Sequence, residues 1–131
     1  MSEPTVSIQQ LSVGADGQWS VELRLQNFSN VAMRFERIAL TLRAGGETAG
    51  ELRAEPALDV GPEAADTTVV KLTPTATARL TIADALADRR NLEYSLEGTL
   101  SASAEARKAR EYPVERNSAL SPVPGLPGVL R

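Results

Sequence analysis

Val21-Glu22-Leu23-Arg24-Leu25-Gln26-Asn27-Phe28-Ser29-Asn30 is the stretch that decides the fold. Val21, Leu23 and Leu25 point to one side while Glu22, Arg24 and Gln26 point to the other. That is the period-two pattern of a strand with one dry face and one wet face. Such a strand belongs to an antiparallel sheet, because parallel strands are covered on both faces and read as unbroken apolar runs. The alternation stops where Asn27 and Asn30 bring turn-forming side chains.

The same reading extends outward from this stretch. Ile38, Leu40 and Leu42 alternate with Arg37, Ala39, Thr41 and Arg43; Leu92, Tyr94, Leu96 and Leu100 share one parity with Gly98. Thr67 to Leu72 is a β-branched run, and Val6 to Val13 changes parity between Ile8 and Leu11, which predicts a bulge. Gly14-Ala15-Asp16-Gly17 and Ala44-Gly45-Gly46-Glu47 supply turns. Pro56 and Gly61-Pro62 mark Glu47 to Val60 as broken or edge-strand material. Ile82 to Arg90 predicts a helix, with Thr81 as N-cap and basic residues in its last turn. Arg107 to Val114 predicts a last long strand, with Pro113 marking an edge. From Pro122 to Arg131 the chain reads as an extended Pro/Gly tail without a core of its own, mobile or loosely docked. About seven strands and one helix predict an all-β domain over residues 1–121, an antiparallel β-sandwich, with an open barrel as the alternative and residues 122–131 as the tail.

Composition removes much chemistry. The 131 residues include no His and no Cys, so imidazole bases, thiol nucleophiles, Ser–His triads, disulfides and Cys/His zinc sites are excluded. A net charge of −3 with only 4% aromatic residues argues against a nucleic-acid partner. No run of 18 apolar residues occurs to span a membrane. Met1-Ser2-Glu3-Pro4 lacks the charged and apolar regions of a signal peptide.

Several of these stretches together resemble a known family. Val21 to Asn30, followed by Phe35 to Leu42, is similar to the second and third strands of the LEA14-like proteins. These are the late embryogenesis abundant group 2 proteins, which carry the water-stress and hypersensitive-response (WHy) domain. Asn27 and Asn30 match the polar positions of the Asn-Pro-Asn turn, and Phe28 stands where proline is usual. Ala49-Gly50 resembles the small-Gly step after the hairpin, Gly61 the glycine before the next strand, and Tyr94 to Leu100, with Gly98, the Tyr-x-Leu-x-Gly-x-Leu strand. The resemblance runs from Val6 to Ser121. It implies an immunoglobulin- or fibronectin-III-like sandwich with no catalytic site or cofactor, and a role in stress tolerance. Bacterial relatives are often exported or tethered as lipoproteins. The implied location is therefore the cell envelope if an export signal lies upstream, and the cytoplasm otherwise.

Each distinctive feature has a structural reading beside the functional one. Asn27 to Asn30 is a recognition loop or a turn in which Asn side chains bond nearby backbone. Arg107-Lys108-Ala109-Arg110, with Arg89-Arg90 near it, is an anion patch or a solvated strand, and the flanking Glu105 and Glu111 favour the latter. Asp59, Glu63 and Asp66 raise calcium, but at a spacing unlike that of calcium loops. Trp19 reads as a plug of the core rather than a ligand platform. Without a Ser-x-x-Lys pattern, a Ser–Lys hydrolase has no support. The expectation is a monomeric protector that makes weak contacts with client proteins or a membrane surface, without metal or catalysis. The alternative is an adaptor that binds one protein partner through a sheet edge or the Pro-rich tail, in which Pro124 and Pro127 stand three apart.

Overall fold

A computed structural model describes residues 3–131. Its strands are β1 (Thr5–Val13), β2 (Trp19–Gln26), β3 (Met33–Ala44), β4 (Glu47–Ala54), β5 (Leu58–Val60), β6 (Ala65–Leu72), β7 (Leu92–Ala104), β8 (Arg110–Leu120) and β9 (Val129–Leu130). One helix, α1 (Ala76–Ala87), joins β6 to β7. The first sheet has the order β6-β2-β1-β9, and the second β4-β3-β7-β8 with β5 beside β3. All pairs are antiparallel, and the two inner faces form one hydrophobic core. This is a β-sandwich, not a barrel.

The alternating residues fill that core as their parity requires. Trp19, Val21, Leu23 and Leu25 of β2 are wholly buried, and Ile38, Leu40 and Leu42 of β3 face them from the other sheet among the buried residues. In β6, Val70 points inward and Val69 outward. The β1 bulge falls where the parity changes, with the register on β2 shifting between Ile8 and Gln10. A second bulge, between Phe35 and Arg37, lets Met33 and Phe35 share the core with the even-numbered residues that follow.

Three boundaries differ from the sequence reading. The helix begins at Ala76, not after Thr81. Thr75 is the N-cap, its Oγ1 accepting the Ala78 N–H at 3.3 Å, while Thr81 lies inside the helix with its Oγ1 donating to the Thr77 carbonyl. The first turn, Ala76-Thr77-Ala78, has no apolar period to read, but its alanines favour a helix, Thr75 caps it, and Ala78 is buried as the helix packs against the second sheet. Arg89 and Arg90 fall beyond the helix. Arg89 takes a left-handed φ of 53°, and the Arg90 N–H returns to the Ala85 carbonyl at 2.9 Å, closing a Schellman turn. The last long strand covers Arg110 to Leu120 rather than Arg107 to Val114, because Arg107 is held in a turn by its N–H bond to the Ala104 carbonyl. Pro113 does lie on an edge strand.

The C-terminal segment is the third correction. Residues 122–131 fold back as a turn, and β9 pairs Leu130 with Leu11 and Val129 with Ser12. The Ser121 and Arg131 N–H groups bond each other's carbonyls at 2.7 and 2.9 Å, and the Val13 N–H bonds the Gly128 carbonyl at 2.8 Å. Prolines cannot donate, but every donor this return needs comes from a non-proline residue. A single buried leucine leaves no period to read, so the docking was invisible in sequence. Leu130→Ala is expected to cost about 2 kcal/mol in urea unfolding, since Leu130 is fully buried at the end of a short strand. A change below about 0.5 kcal/mol would show that the segment contributes nothing to the core.

Candidate functional site

Asn27 follows directly on β2, and its side chain is wholly buried. Its backbone N–H continues the β2–β6 ladder by bonding the Ala64 carbonyl at 2.9 Å. The side-chain Nδ2 donates to the carbonyls of Val31 at 2.8 Å, Gly61 at 3.0 Å and Val60 at 3.2 Å. Its Oδ1 accepts the Ser29 N–H at 2.9 Å and lies 2.8 Å from Ser29 Oγ. One amide therefore joins the β2–β3 turn to the β5–β6 turn across the two sheets. Both of its polar atoms are used inside the fold. The arrangement holds turns together and presents no reactive group.

The other family-motif positions do not gather around it. Gly61 meets Asn27 through its carbonyl alone, and Asn30 is exposed beside Phe28. Gly50 lies on β4, where a Cβ would stand 2.7 Å from Leu72 Cδ1. Tyr94 is buried on β7, in the same sheet as β4, and its hydroxyl accepts the Ile8 N–H of the first sheet at 3.1 Å, at the residue where the β1 bulge begins. Gly98 lies on β7 opposite Leu40 of β3, where a Cβ would land on the Ala39 carbonyl oxygen. Sequence reasoning missed Ser29, which is buried beside Asn27, and the Tyr94–Ile8 bond between the sheets. Ser29 was readable in principle, as the residue two after an Asn, where an Asx-type turn places its donor.

The charged clusters stay apart. Asp59 pairs with Arg34 at 3.1 Å, and Asp66 Oδ1 accepts the Thr67 N–H. Among the described residues no group of three or more Asp and Glu side chains is placed to share a metal ion. Millimolar calcium is expected to leave the melting temperature unchanged; a stoichiometric, saturable rise would assign Asp59, Glu63 and Asp66 a metal. The basic cluster is divided too, correcting the expectation that Arg89-Arg90 lies near Arg107 to Arg110. The two groups stand at opposite ends of the 13-residue β7, about 40 Å of strand apart. Arg90 pairs with Asp88, and Arg110 stacks 5.2 Å from the Tyr112 ring centre. The Pro/Gly turn and the helix end frame a groove of about 630 Å³, in which Leu86, Val123 and Leu126 are joined by a single charged residue, Arg89. Trp19 is a core plug with no exposed surface, its indole N–H unpartnered among the described residues. No described helix is long and apolar enough to cross a membrane.

Comparison with solved structures places this geometry. A crystal structure of a protein from Archaeoglobus fulgidus matches at a TM-score of 0.53 and 13% identity, over 93% of this chain and 97% of that one. A solution structure of an Arabidopsis thaliana protein matches at 0.58 and 12% identity, over 94% and 80%. The solution structure of a candidate late embryogenesis abundant (LEA) protein matches at 0.51 and 17% identity, over 98% and 74%. No protein-family model matches the chain, and no curated protein matches it by sequence. The likeness covers nearly the whole chain, and what this protein shares with these three is the fold: a two-sheet antiparallel sandwich of the kind found in a candidate LEA protein.

Proposed function

We propose that this domain is a non-catalytic protector against water stress, acting through weak contacts with client proteins or membrane surfaces. The observation that carries this reading is the likeness of its whole fold to that of a candidate LEA protein. The chemistry agrees with it. The sequence has no His or Cys, and the buried polar network around Asn27 is spent on structure. The outward faces carry interspersed charge, such as the Arg53–Glu51 and Arg34–Asp59 pairs, which keeps a small domain soluble while adding little stability. In a bacterial host the same reading expects the protein at the cell envelope.

A freeze–thaw and drying assay tests it. A labile enzyme is expected to keep at least about twice the activity with this protein as with an inert protein of equal mass. Protection no better than the inert protein would overturn the reading. The adaptor alternative loses one of its two routes, since Pro124 and Pro127 lie in a closed turn rather than an extended ligand.

A further inference from the structure

Among the described residues, every long flank of the sandwich except one carries a device against strand pairing. The two-residue β9 is backed by the Val123 N–H on the Val129 carbonyl at 2.9 Å and by the paired Ser121–Arg131 bonds. The flank of β1 that precedes β9 is broken by the bulge, and its Ile8 N–H is taken by the Tyr94 hydroxyl. β4 gives its Thr48 and Ala49 carbonyls to Thr75. β8 carries Arg110, Glu111, Pro113, Glu115 and Arg116, the charges and proline that blunt a bare edge.

β6 has no such device along its middle. It pairs with β2 on one side and, among the described residues, with no strand on the other. The Asn27–Ala64 bond sets the phase of the ladder, and antiparallel bonding then alternates along the register. Asp66, Thr68 and Val70 exchange bonds with β2, while the backbone groups of Thr67, Val69 and Lys71 point away from the sheet. The Thr67 N–H confirms this phase, because Asp66 Oδ1 takes it at 2.8 Å from the open side. The Val69 and Lys71 N–H groups and the Thr67 and Val69 carbonyls have no partner among the described residues. Between Asp66 and Lys71 run four uncharged β-branched residues, Thr67-Thr68-Val69-Val70, and Val69 is 58% exposed. An edge of that composition is a template for another strand.

We propose that the β6 edge captures an extended segment of a client protein by antiparallel strand addition. The segment it selects has a β-branched, uncharged centre, an acidic residue opposite Lys71 and a basic residue opposite Asp66. Directly opposed charges of unlike sign favour the pairing, and like charges oppose it. The inference rests on the client-contact reading above and assigns that contact to one strand.

The probe is the capped peptide Glu-Thr-Val-Thr-Val-Lys, titrated into the full chain while backbone amides are followed by NMR. Saturable shifts confined to Ala65–Leu72 are expected, with the charge-reversed peptide Lys-Thr-Val-Thr-Val-Glu at least about fivefold weaker. Val69→Pro should weaken binding at least about tenfold while leaving the fold intact, since the lost N–H points outward and edge strands accept proline there. Lys71→Glu should erase the preference between the two peptides. No saturable shift at millimolar peptide, shifts elsewhere, equal affinity for both peptides, or undiminished binding to Val69→Pro would each overturn the proposal. Concentration-dependent self-association that Val69→Pro abolishes, without peptide binding, would overturn it in favour of a second copy of this chain. Enzyme protection that survives Val69→Pro would sink edge capture and leave the protector reading standing.

Discussion

Replacing Gly98 with alanine is expected to cost about 3 kcal/mol in urea unfolding. Gly98 lies opposite Leu40 in the β3–β7 pairing, which runs from Met33↔Ala104 to Ala44↔Tyr94 through the middle of the second sheet. A Cβ built there lands on the carbonyl oxygen of Ala39 and 3.0 Å from the Leu40 Cα. Both are backbone atoms of a strand paired on its two sides, so neither can swing aside as a flexible side chain would. The strands must separate locally, which loosens Leu40 and Leu100 in the core. Gly61→Ala is the control: a Cβ there meets nothing within 4 Å, and the change is expected to stay within about 0.5 kcal/mol. A Gly98→Ala protein as stable as the Gly61→Ala protein would show that β3 and β7 do not approach this closely.

Asn27→Ala is expected to cost a comparable amount, about 3 kcal/mol, for a different reason. The substitution removes the donor shared by the Val31, Gly61 and Val60 carbonyls and the acceptor of the Ser29 N–H. Each buried group left without a partner costs about 1–3 kcal/mol, and water reaching the part-buried ones offsets some of that. Asn27→Asp separates the amide from its shape. An aspartate keeps the acceptor but, when ionised, turns an oxygen toward three carbonyl oxygens in a buried site. Burial and those oxygens favour the neutral acid, so the carboxyl pKa in the folded state rises above its unfolded value. The sign follows: the variant is most stable below the unfolded pKa and loses stability as pH climbs through the folded one. Unfolding measured from pH 4 to pH 7 should therefore show the Asn27→Asp deficit growing with pH. A deficit that shrinks with pH would mean that the site favours a negative charge and is open to cations.

The two substitutions bear on the family resemblance as well as on stability. Gly98 and Asn27 are motif positions, and both act through the backbone they touch: one by lacking a side chain, the other by bonding carbonyls of two turns. Asn30, matched to the same turn motif, is exposed. Two residues of one motif thus have unlike roles, which no spacing in the sequence distinguishes.

Sequence alone determined antiparallel strands with one buried face each; the two separate sheets of the structure chose the sandwich over an open barrel. A face that alternates every second residue must be buried on one side, so Val21, Leu23, Leu25, Leu40, Leu42, Leu96 and Leu100 could lie only on the inner face of antiparallel strands. The β1 bulge was legible for the same reason, since a change of parity with both ends buried needs one extra residue. Tertiary structure decided what period cannot express. It started the helix six residues early, because Thr75 caps it and Ala78, Ile82 and Ala85 pack over the second sheet, where no apolar period announces the first turn. It drew Leu130 into the core, because one residue has no periodicity, and it set Arg89-Arg90 a strand's length from Arg107 to Arg110. The open flank of β6 belongs to the same class. Whether a backbone N–H is free depends on what lies beside it across the sheet, and that neighbour is fixed by chain topology rather than by the residues of the strand itself.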